Sequence, residues 1–460
     1  MAAHLDLNEL DFGTGASEQE RSLKNYFYRS LAFDHACQDS ICLILGSKGS
    51  GKSAIFRMMD EGGQDIAGFK NPNIYLPTDA NLRNHYILLQ AKLRSRVDFV
   101  TLWKFYFGSI VAFQLAQTAT GGSAKFLLDF IKHWGLDPRK FPGLFGARLK
   151  IPLKLAELDI SREGGELPNP LQIQEVFEVA EQLLVEDPRT LWISIDELDK
   201  VAINGGTGTT KNHSSELLSA LMQAHSDLYR LEHIRFKFFI RSDVYEGLTY
   251  VDKDHFSNAI LELRWKPEDL AIMLAMRIAA SNGKENGELN LTDSNELINQ
   301  IFEWPRAVPD FDRLLNELKD GNSFVTPRDL LNFAIRARDS QLQFNRYGTN
   351  PPRTGMISGA AVEDGLKGAS KAKLEDFLTT FPEIYRRFLN LKGHDAVTLT
   401  RSQLQHLLNI PDELNFKIAA EEFCRIGAIG KEDERPVHLT ERFVIPPIYR
   451  RALSLREEAT

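Results

Sequence analysis

The sequence predicts an α/β fold: a parallel-sheet core carrying a helical insertion, then a helical lid, then a small domain of helices and a hairpin. Three observations predict it. An apolar run at residues 41–45 enters a glycine-rich turn and then a helical segment at 54–59. A second apolar run, residues 191–195, ends in the carboxylates Asp196 and Glu197. Both runs are continuous rather than alternating, as in strands buried on both faces. Beyond residue 265 helical periodicity takes over, and the tail reads as three helices followed by a strand–turn–strand.

The turn after the first run is Gly46-Ser47-Lys48-Gly49-Ser50-Gly51-Lys52-Ser53, the phosphate-binding P-loop spacing between a strand and a helix. Each residue type has a physical task. The glycines let backbone N–H groups turn inward around phosphates, and the helix N-terminus adds positive potential. Lys52 is placed for the β/γ-phosphates and Ser53 for Mg²⁺. In the second motif Asp196 is placed to hold Mg²⁺, usually through water, and Glu197 to polarise an attacking water. Asp199 fits a turn former better than a ligand. Together the motifs predict a P-loop ATPase core with ATP and Mg²⁺ as cofactors.

Composition narrows the class. The chain has 460 residues, 43% hydrophobic and 26% charged, room for two to four domains. A net charge of −8 gives no global pull toward nucleic acid, so any such contact needs a local patch. Cys37, Cys42 and Cys424 are too few and scattered for a disulfide framework or a zinc site, and the chain reads as cytoplasmic. The polar, acidic N-terminus does not fit a secretory signal. Residues 99–116 are strongly apolar, but Lys104 and Gln114 interrupt them and they barely reach the roughly 20 residues a span needs. A helix buried between protein layers is expected, with no membrane span.

Along the chain, residues 1–25 read as a polar lead-in and 26–265 as the nucleotide core. From Lys52 to Asp196 the chain is roughly twice as long as a minimal core of βαβ units requires, so a helical insertion is expected at about 80–170. After a glycine-rich loop beginning at Asn204, one helix face carries Leu217, Leu218, Leu221, His225 and Leu228. The next strand, residues 234–240, ends in Arg241-Ser242-Asp243, where Arg241 or Ser242 is placed to sense a γ-phosphate. The lid, 266–344, opens with Pro267, Glu268 and Asp269 at a helix start. In Thr326-Pro327-Arg328, Thr326 caps a helix and Arg328 falls in its first turn. A cation there opposes the helix dipole, so an anionic partner such as a γ-phosphate, or an ion pair near Asp329, would explain it. Residues 345–357 read as a linker and 358–460 as a separate winged-helix-like domain, with a helix at 374–391 and a capping box at Thr400 and Gln403.

On these residues the chain resembles the bacterial P-loop ATPases of the AAA+ superfamily, in the Orc/Cdc6-like group. The resemblance covers most of residues 25–450. It rests on the P-loop, on Ile195-Asp-Glu-Leu-Asp199 and on Phe239-Ile-Arg-Ser-Asp-Val-Tyr245. Leu263-Arg-Trp-Lys-Pro, Thr326-Pro-Arg-Asp-Leu-Leu331 and the winged-helix-like tail add to it. It implies that Arg241 is sensor 1 and Arg328 sensor 2, both catalytic with Lys52 and Glu197. One departure is the arginine finger: after sensor 1 the chain offers Lys253 and no arginine until Arg264. The long insertion also resembles KAP-type and STAND-like ATPases.

Two functional classes follow. The first is an ATP-driven switch that controls a DNA-processing or effector partner; the resemblance implies antiviral defence or mobile-element maintenance as settings. An initiator- or loader-like ATPase that binds DNA directly is its variant. The second is a nucleotide-stabilised protein-interaction module. Nothing marks a kinase acceptor site. The wing tip, Lys431-Glu-Asp-Glu-Arg435, is more acidic than basic, which favours a protein partner over DNA. Tyr385, Phe388, Phe443 and Tyr449 are candidates for its docking face or for the core. A homo-oligomer stays open.

Overall fold

The computed structural model describes residues 6–15, 20, 22–62, 74–78, 99–116, 120–133, 169–185, 190–196, 198, 209–251, 253–281, 289–348 and 356–455. The chain divides into two compact units.

The first unit, Leu31–Gly46 with Lys52–Glu262, is built on five parallel strands. They are β1 (Leu43–Gly46), β2 (Ile74–Thr78), β3 (Leu191–Ile195), β4 (Ile234–Arg241) and β5 (Ile260–Glu262), in the order β2-β3-β4-β1-β5. Every residue of β1 and β3 is buried, which is why their sequences are apolar without alternation. Helices α1 (Leu31–Ala36), α2 (Lys52–Gly62), α3 (Phe99–Leu115), α4 (Gly121–His133), α5 (Pro170–Val185), α6 (Thr209–Leu228) and α7 (Ser242–Glu246) complete it. The expected face of α6 is buried, Leu217, Leu218, Leu221, His225 and Leu228 included.

The apolar segment forms α3, and its all-round hydrophobicity has a packing cause. It lies against α4, α5 and α6, while Phe107 meets Phe236 and Phe238 of β4 with ring centroids 4.8 and 6.2 Å away. Trp103 donates its indole N–H to the Leu217 carbonyl at 2.9 Å. The described helices of the expected insertion, α3 and α4, therefore share one core with the sheet rather than standing apart. No helix among the described residues is long and apolar enough to cross a membrane.

The second unit gathers Met1–Ser30, Ser47–Gly51 and Leu263–Thr460. The lid helices are α8 (Pro267–Ser281), α9 (Leu291–Ile301), α10 (Phe311–Glu317) and α11 (Pro327–Tyr347). Then come α12 (Gly359–Thr380), α13 (Pro382–Phe388), β6 (Thr398–Thr400), α14 (Arg401–Leu407), α15 (Glu413–Arg425), β7 (Gly430–Lys431), β8 (Arg442–Val444) and α16 (Pro447–Arg450). The antiparallel sheet β6-β8-β7 with α13, α14 and α15 is a winged helix, residues 432–441 forming the wing. The fold class is thus a P-loop α/β core with a helical lid and a C-terminal winged helix.

Three boundaries differ from the sequence reading. The helix expected at 374–391 breaks after Thr380, because Pro382 has no N–H to continue the ladder and instead begins α13. Among the described residues, 358–455 share one core with the lid. One apolar cluster runs from Leu270 through α11 and α12 to Leu453. At Gly365 a β-carbon would lie 2.7 Å from Ala337 Cβ, so glycine lets α12 approach α11 this closely. The lead-in is not merely polar either: Leu7, Leu10 and Phe12 are buried in the same cluster. Arg277 ties it down by pairing with Glu20 at 2.5 Å and donating to the Phe12 carbonyl at 2.6 Å.

Candidate nucleotide-binding site

Register gathers the first half of the site. Gly46 ends β1 directly opposite Arg241 at the end of β4, and Ile195, the last residue of β3, pairs with Phe238 on the other side of β4. Gly46, Asp196 and Arg241 therefore sit at the carboxyl ends of three adjacent parallel strands, where open α/β sheets bind ligands. Asp196 is 7% exposed. Lys52 opens α2, and its ammonium is buried and donates to the Gly46 carbonyl at 2.7 Å. Ser53 follows in the first helical turn. Glu197 and Asp199 lie outside the described residues.

The strand-end arginine has a structural engagement. Asp243 accepts from Arg241 Nε at 2.9 Å and from Nη2 at 2.6 Å, a fork-on-carboxylate pair. Beside it the Ser242 hydroxyl is buried and has no hydrogen-bond partner among the described residues. Of the two sensor candidates, Ser242 is the one with an uncommitted polar atom. Lys253 does not have the open position of a finger residue. Its ammonium donates to the carbonyls of Tyr245 (3.2 Å), Glu246 (3.4 Å) and Leu248 (2.9 Å) and lies 4.8 Å from the Tyr245 ring centre. It caps the C-terminal end of α7, where cations are stabilised.

The second unit holds the loop tip, Ser47–Gly51. Trp265 donates its indole N–H to the Ser50 carbonyl at 2.8 Å, and the Arg328 backbone N–H reaches the Gly49 carbonyl at 3.4 Å. Gly49 and Gly51 have φ of +86° and +94°, the left-handed region open to glycine. At Gly49 a side chain is excluded twice over, since a β-carbon would sit 2.8 Å from Arg328 Cβ and 3.1 Å from Thr326 Oγ1. Thr326 caps α11 in a reciprocal capping box with Asp329, so the first turn bearing Arg328 is fixed. Arg328 does not pair with Asp329. Its Nε donates to the Gly15 carbonyl at 2.7 Å and its Nη1 lies 3.5 Å from Asp376 of α12. Lys48 meets the same carboxylate at 3.2 Å.

The residues present fit a nucleotide phosphate. The Ser50 hydroxyl is buried within the loop and has no partner among the described residues, an orphan that a phosphate oxygen would satisfy. Gly49 and Gly51 of the loop adopt positive φ. Mg²⁺ typically takes one or two protein ligands beside phosphate oxygens and water, which Ser53 and Asp196 can supply. Two residues escaped the sequence analysis as parts of the site. Trp265 had a signal, the Leu263-Arg-Trp-Lys-Pro string. Asp376 had none, since it lies mid-helix in an ordinary polar stretch.

No family model matches the chain. Among curated proteins it is similar to an Escherichia coli K12 protein of 80.3 kDa attributed to transposon gamma-delta, 23% identical over 397 residues. That match takes in 81% of this chain and 51% of the relative, so the chain spans about half the relative's length. Among solved structures it is similar to the Aeropyrum pernix ORC2 protein in its ADPNP-ADP complexes (TM-score 0.41, 12% identity, 93% of this chain and 89% of that one). It is similar also to A. pernix ORC1 in complex with DNA (TM-score 0.35, 13% identity, 90% and 86%) and to Drosophila ORC bound to DNA (TM-score 0.30, 11% identity, 97% and 90%). Likeness at this level is too distant to transfer a ligand or a partner. The P-loop α/β fold with its winged helix stands on the strand order, the register and the loop themselves.

Proposed function

We propose that the chain is a Mg²⁺-dependent ATPase working as a nucleotide-gated switch, with the winged helix carrying its output to a protein partner. The ATPase reading is supported, within the sheet unit, by the alignment of Gly46, Asp196 and Arg241 at three neighbouring strand ends and, within the other unit, by the orphan Ser50 hydroxyl of the loop tip. In this reading Lys52 and the loop N–H groups hold the phosphates, and Ser53 and Asp196 hold Mg²⁺. Glu197 orients and deprotonates the attacking water. Ser242 and Arg241 read the γ-phosphate from the strand ends, and Arg328 reads it from the lid. Lys52→Ala abolishes binding of Mg·ATP, and Glu197→Gln keeps binding while turnover falls about 10²–10⁴-fold. Equal ATPase rates in wild type and Glu197→Gln protein would remove Glu197 as the base.

Protein docking rather than DNA reading is supported by how the winged helix spends its charges. Arg401 pairs with Glu413 at 2.5 Å, Arg435 with Asp433 at 2.5 Å and Arg442 with Glu432 at 3.4 Å. These arginines already have carboxylate partners, whereas a DNA-reading face offers its cations to phosphates. The four aromatics named above belong to the core: Phe388, Phe443 and Tyr449 are buried, and the partly buried Tyr385 packs against the same cluster, its ring 6.0 Å from Phe377. Exposed large apolar residues of the winged helix include Leu414 and Ile418 on α15 and Leu439 in the wing. The name of the E. coli relative favours a mobile-element setting over antiviral defence. Because the winged helix shares its core with the lid, DNA binding is tested on the full chain. Labelled duplex binds no tighter than about 10⁻⁶ M at physiological salt. Sub-micromolar affinity with a steep salt slope would restore the initiator-like, DNA-bound reading.

A further inference from the structure

Two cations at the loop tip share one carboxylate. Asp376, in the last full turn of α12, accepts from Lys48 of the P-loop at 3.2 Å through one oxygen and lies 3.5 Å from Arg328 Nη1 through the other. Thr380, one turn on, extends the contact: its hydroxyl accepts from Lys48 at 3.1 Å and donates to the Asp376 carbonyl at 2.7 Å. A second pair crosses beside it, Lys373 of α12 on Asp329 of α11 at 2.8 Å, buried where the Asp376 contacts are partly exposed. Thus Arg328 and Asp329, adjacent on α11, pair respectively with Asp376 and Lys373, one turn apart on α12. The inner pair holds register; the outer one is open to exchange.

The geometry points to Asp376 as a competitor with the nucleotide's γ-phosphate for Arg328 and Lys48, a residue that weakens triphosphate binding selectively and ties the release of its own turn to the presence of a γ-phosphate. The inference rests on the ATPase reading above, in which Arg328 meets the γ-phosphate. Carboxylate and phosphate oxygens are alternative partners for the same guanidinium and ammonium. A nucleotide that supplies a γ-phosphate takes Arg328 and Lys48 from Asp376, and one that lacks it leaves Arg328 where it is. A ligand shifts such an equilibrium only by its different affinity for the two arrangements, and the γ-phosphate is that difference. The consequence travels one residue. Phe377, next to Asp376, has its ring 5.1 Å from Phe388, 6.2 Å from Tyr449 and 6.5 Å from Phe423, the aromatic core of the winged helix. The turn that releases Lys48 therefore also carries an anchor of the winged helix, and it ends where Pro382 breaks the helix.

The test titrates the full chain with fluorescent mant-ATP and mant-ADP in Mg²⁺. Asp376→Asn keeps the side chain's size and removes the competing charge. It tightens mant-ATP binding about fivefold or more, within the usual range of coupling energies, and leaves mant-ADP within about twofold. Glu375→Gln, the same charge change one residue away on an exposed side chain, moves neither, which separates competition from general electrostatics. Adding Lys48→Met to Asp376→Asn cancels part of the gain. In wild type, mant-ATP speeds amide hydrogen exchange at residues 376–381, and in Asp376→Asn that exchange is fast without nucleotide. Wild type that binds mant-ATP with the same affinity as Asp376→Asn overturns the inference alone. Wild type that binds neither nucleotide overturns the ATPase reading and the inference together.

Discussion

The two units differ in how they house their deeply placed lysines and histidine. In the lid and winged-helix unit, buried carboxylates meet cations: Glu20 pairs with the buried Arg277 at 2.5 Å, Asp329 with the largely buried Lys373 at 2.8 Å and Glu317 with the partly exposed Arg451 at 2.8 Å. In the sheet unit Arg241 is likewise paired, with Asp243 at 2.6 Å, but Lys237 and His225 are met by carbonyls and rings. Lys237, on β4 and fully buried, donates to the carbonyls of Gln38 and Ile41 and lies 4.2 Å from the Trp192 ring centre. His225 on α6 sits among Phe236, Phe238 and Phe256, with centroids 5.4, 5.3 and 5.1 Å away. The difference shows in their protonation. Burial pulls the Lys237 ammonium down to about 8 and the His225 imidazole down to about 3. For Lys373 burial also pulls down, but Asp329, Tyr449 and Asp320 outweigh it and the net shift is upward. Its carboxylate partner thus keeps Lys373 charged near neutrality, while solitary burial makes His225 sensitive to pH below neutrality and Lys237 above it.

The comparison breaks most visibly at a pair. Lys373→Ala leaves Asp329 buried with only its cap bonds and costs about 3–5 kcal/mol, read as loss of hydrogen-exchange protection in α11 and α12. Replacing both partners with Met and Asn recovers most of that. A cost below about 1 kcal/mol for the single change would mean that the pair is solvated and the contrast between the units is false.

His225 gives the next largest effect. The unfolded chain takes up a proton near pH 6.5 and the folded one only near 3, so the sheet unit loses stability as pH falls through that window. The slope is about 1.4 kcal/mol per pH unit. His225→Leu flattens this slope in urea titrations followed by exchange in β4. An unchanged slope would assign the acid sensitivity to other groups.

Lys237 gives the smallest effect at neutral pH. There it is charged in both states, and Lys237→Met changes stability by about 1 kcal/mol or less, since lost hydrogen bonds offset a removed desolvation penalty. Above pH 8 the folded lysine gives up its proton before the unfolded one does. Wild type therefore gains stability up to about pH 10.5, and the variant does not. A parallel alkaline profile in both proteins would show Lys237 paired like the cations of the other unit.

Much of the site was legible because its parts are local. The strand–loop–helix around Lys52 is written in consecutive residues, and the capping boxes at Thr326 with Asp329 and Thr400 with Gln403 span three positions each. The buried face of α6 follows from helical spacing alone. What was not legible depends on partners far away in the chain. Lys253 looked like a stand-in for an arginine finger because nothing in its neighbourhood says that it caps α7. The aromatics Phe388, Phe443 and Tyr449 carry no mark that separates a docking face from a core.

By itself the sequence determined the sheet, the P-loop between β1 and α2, the helix starts and the winged-helix order, since apolar periodicity, glycine conformations and caps act over a turn or a strand. Tertiary structure alone decided that α3 is a layer of the sheet unit, that residues 358–455 share a core with the lid, and that Asp376 meets Lys48 at the tip of the P-loop. The lysine it meets lies 328 positions away and the arginine 48. No local preference encodes such a meeting. It exists only once two apolar faces, α11 and α12, have been driven out of water against each other and have brought their charged ends to the same loop.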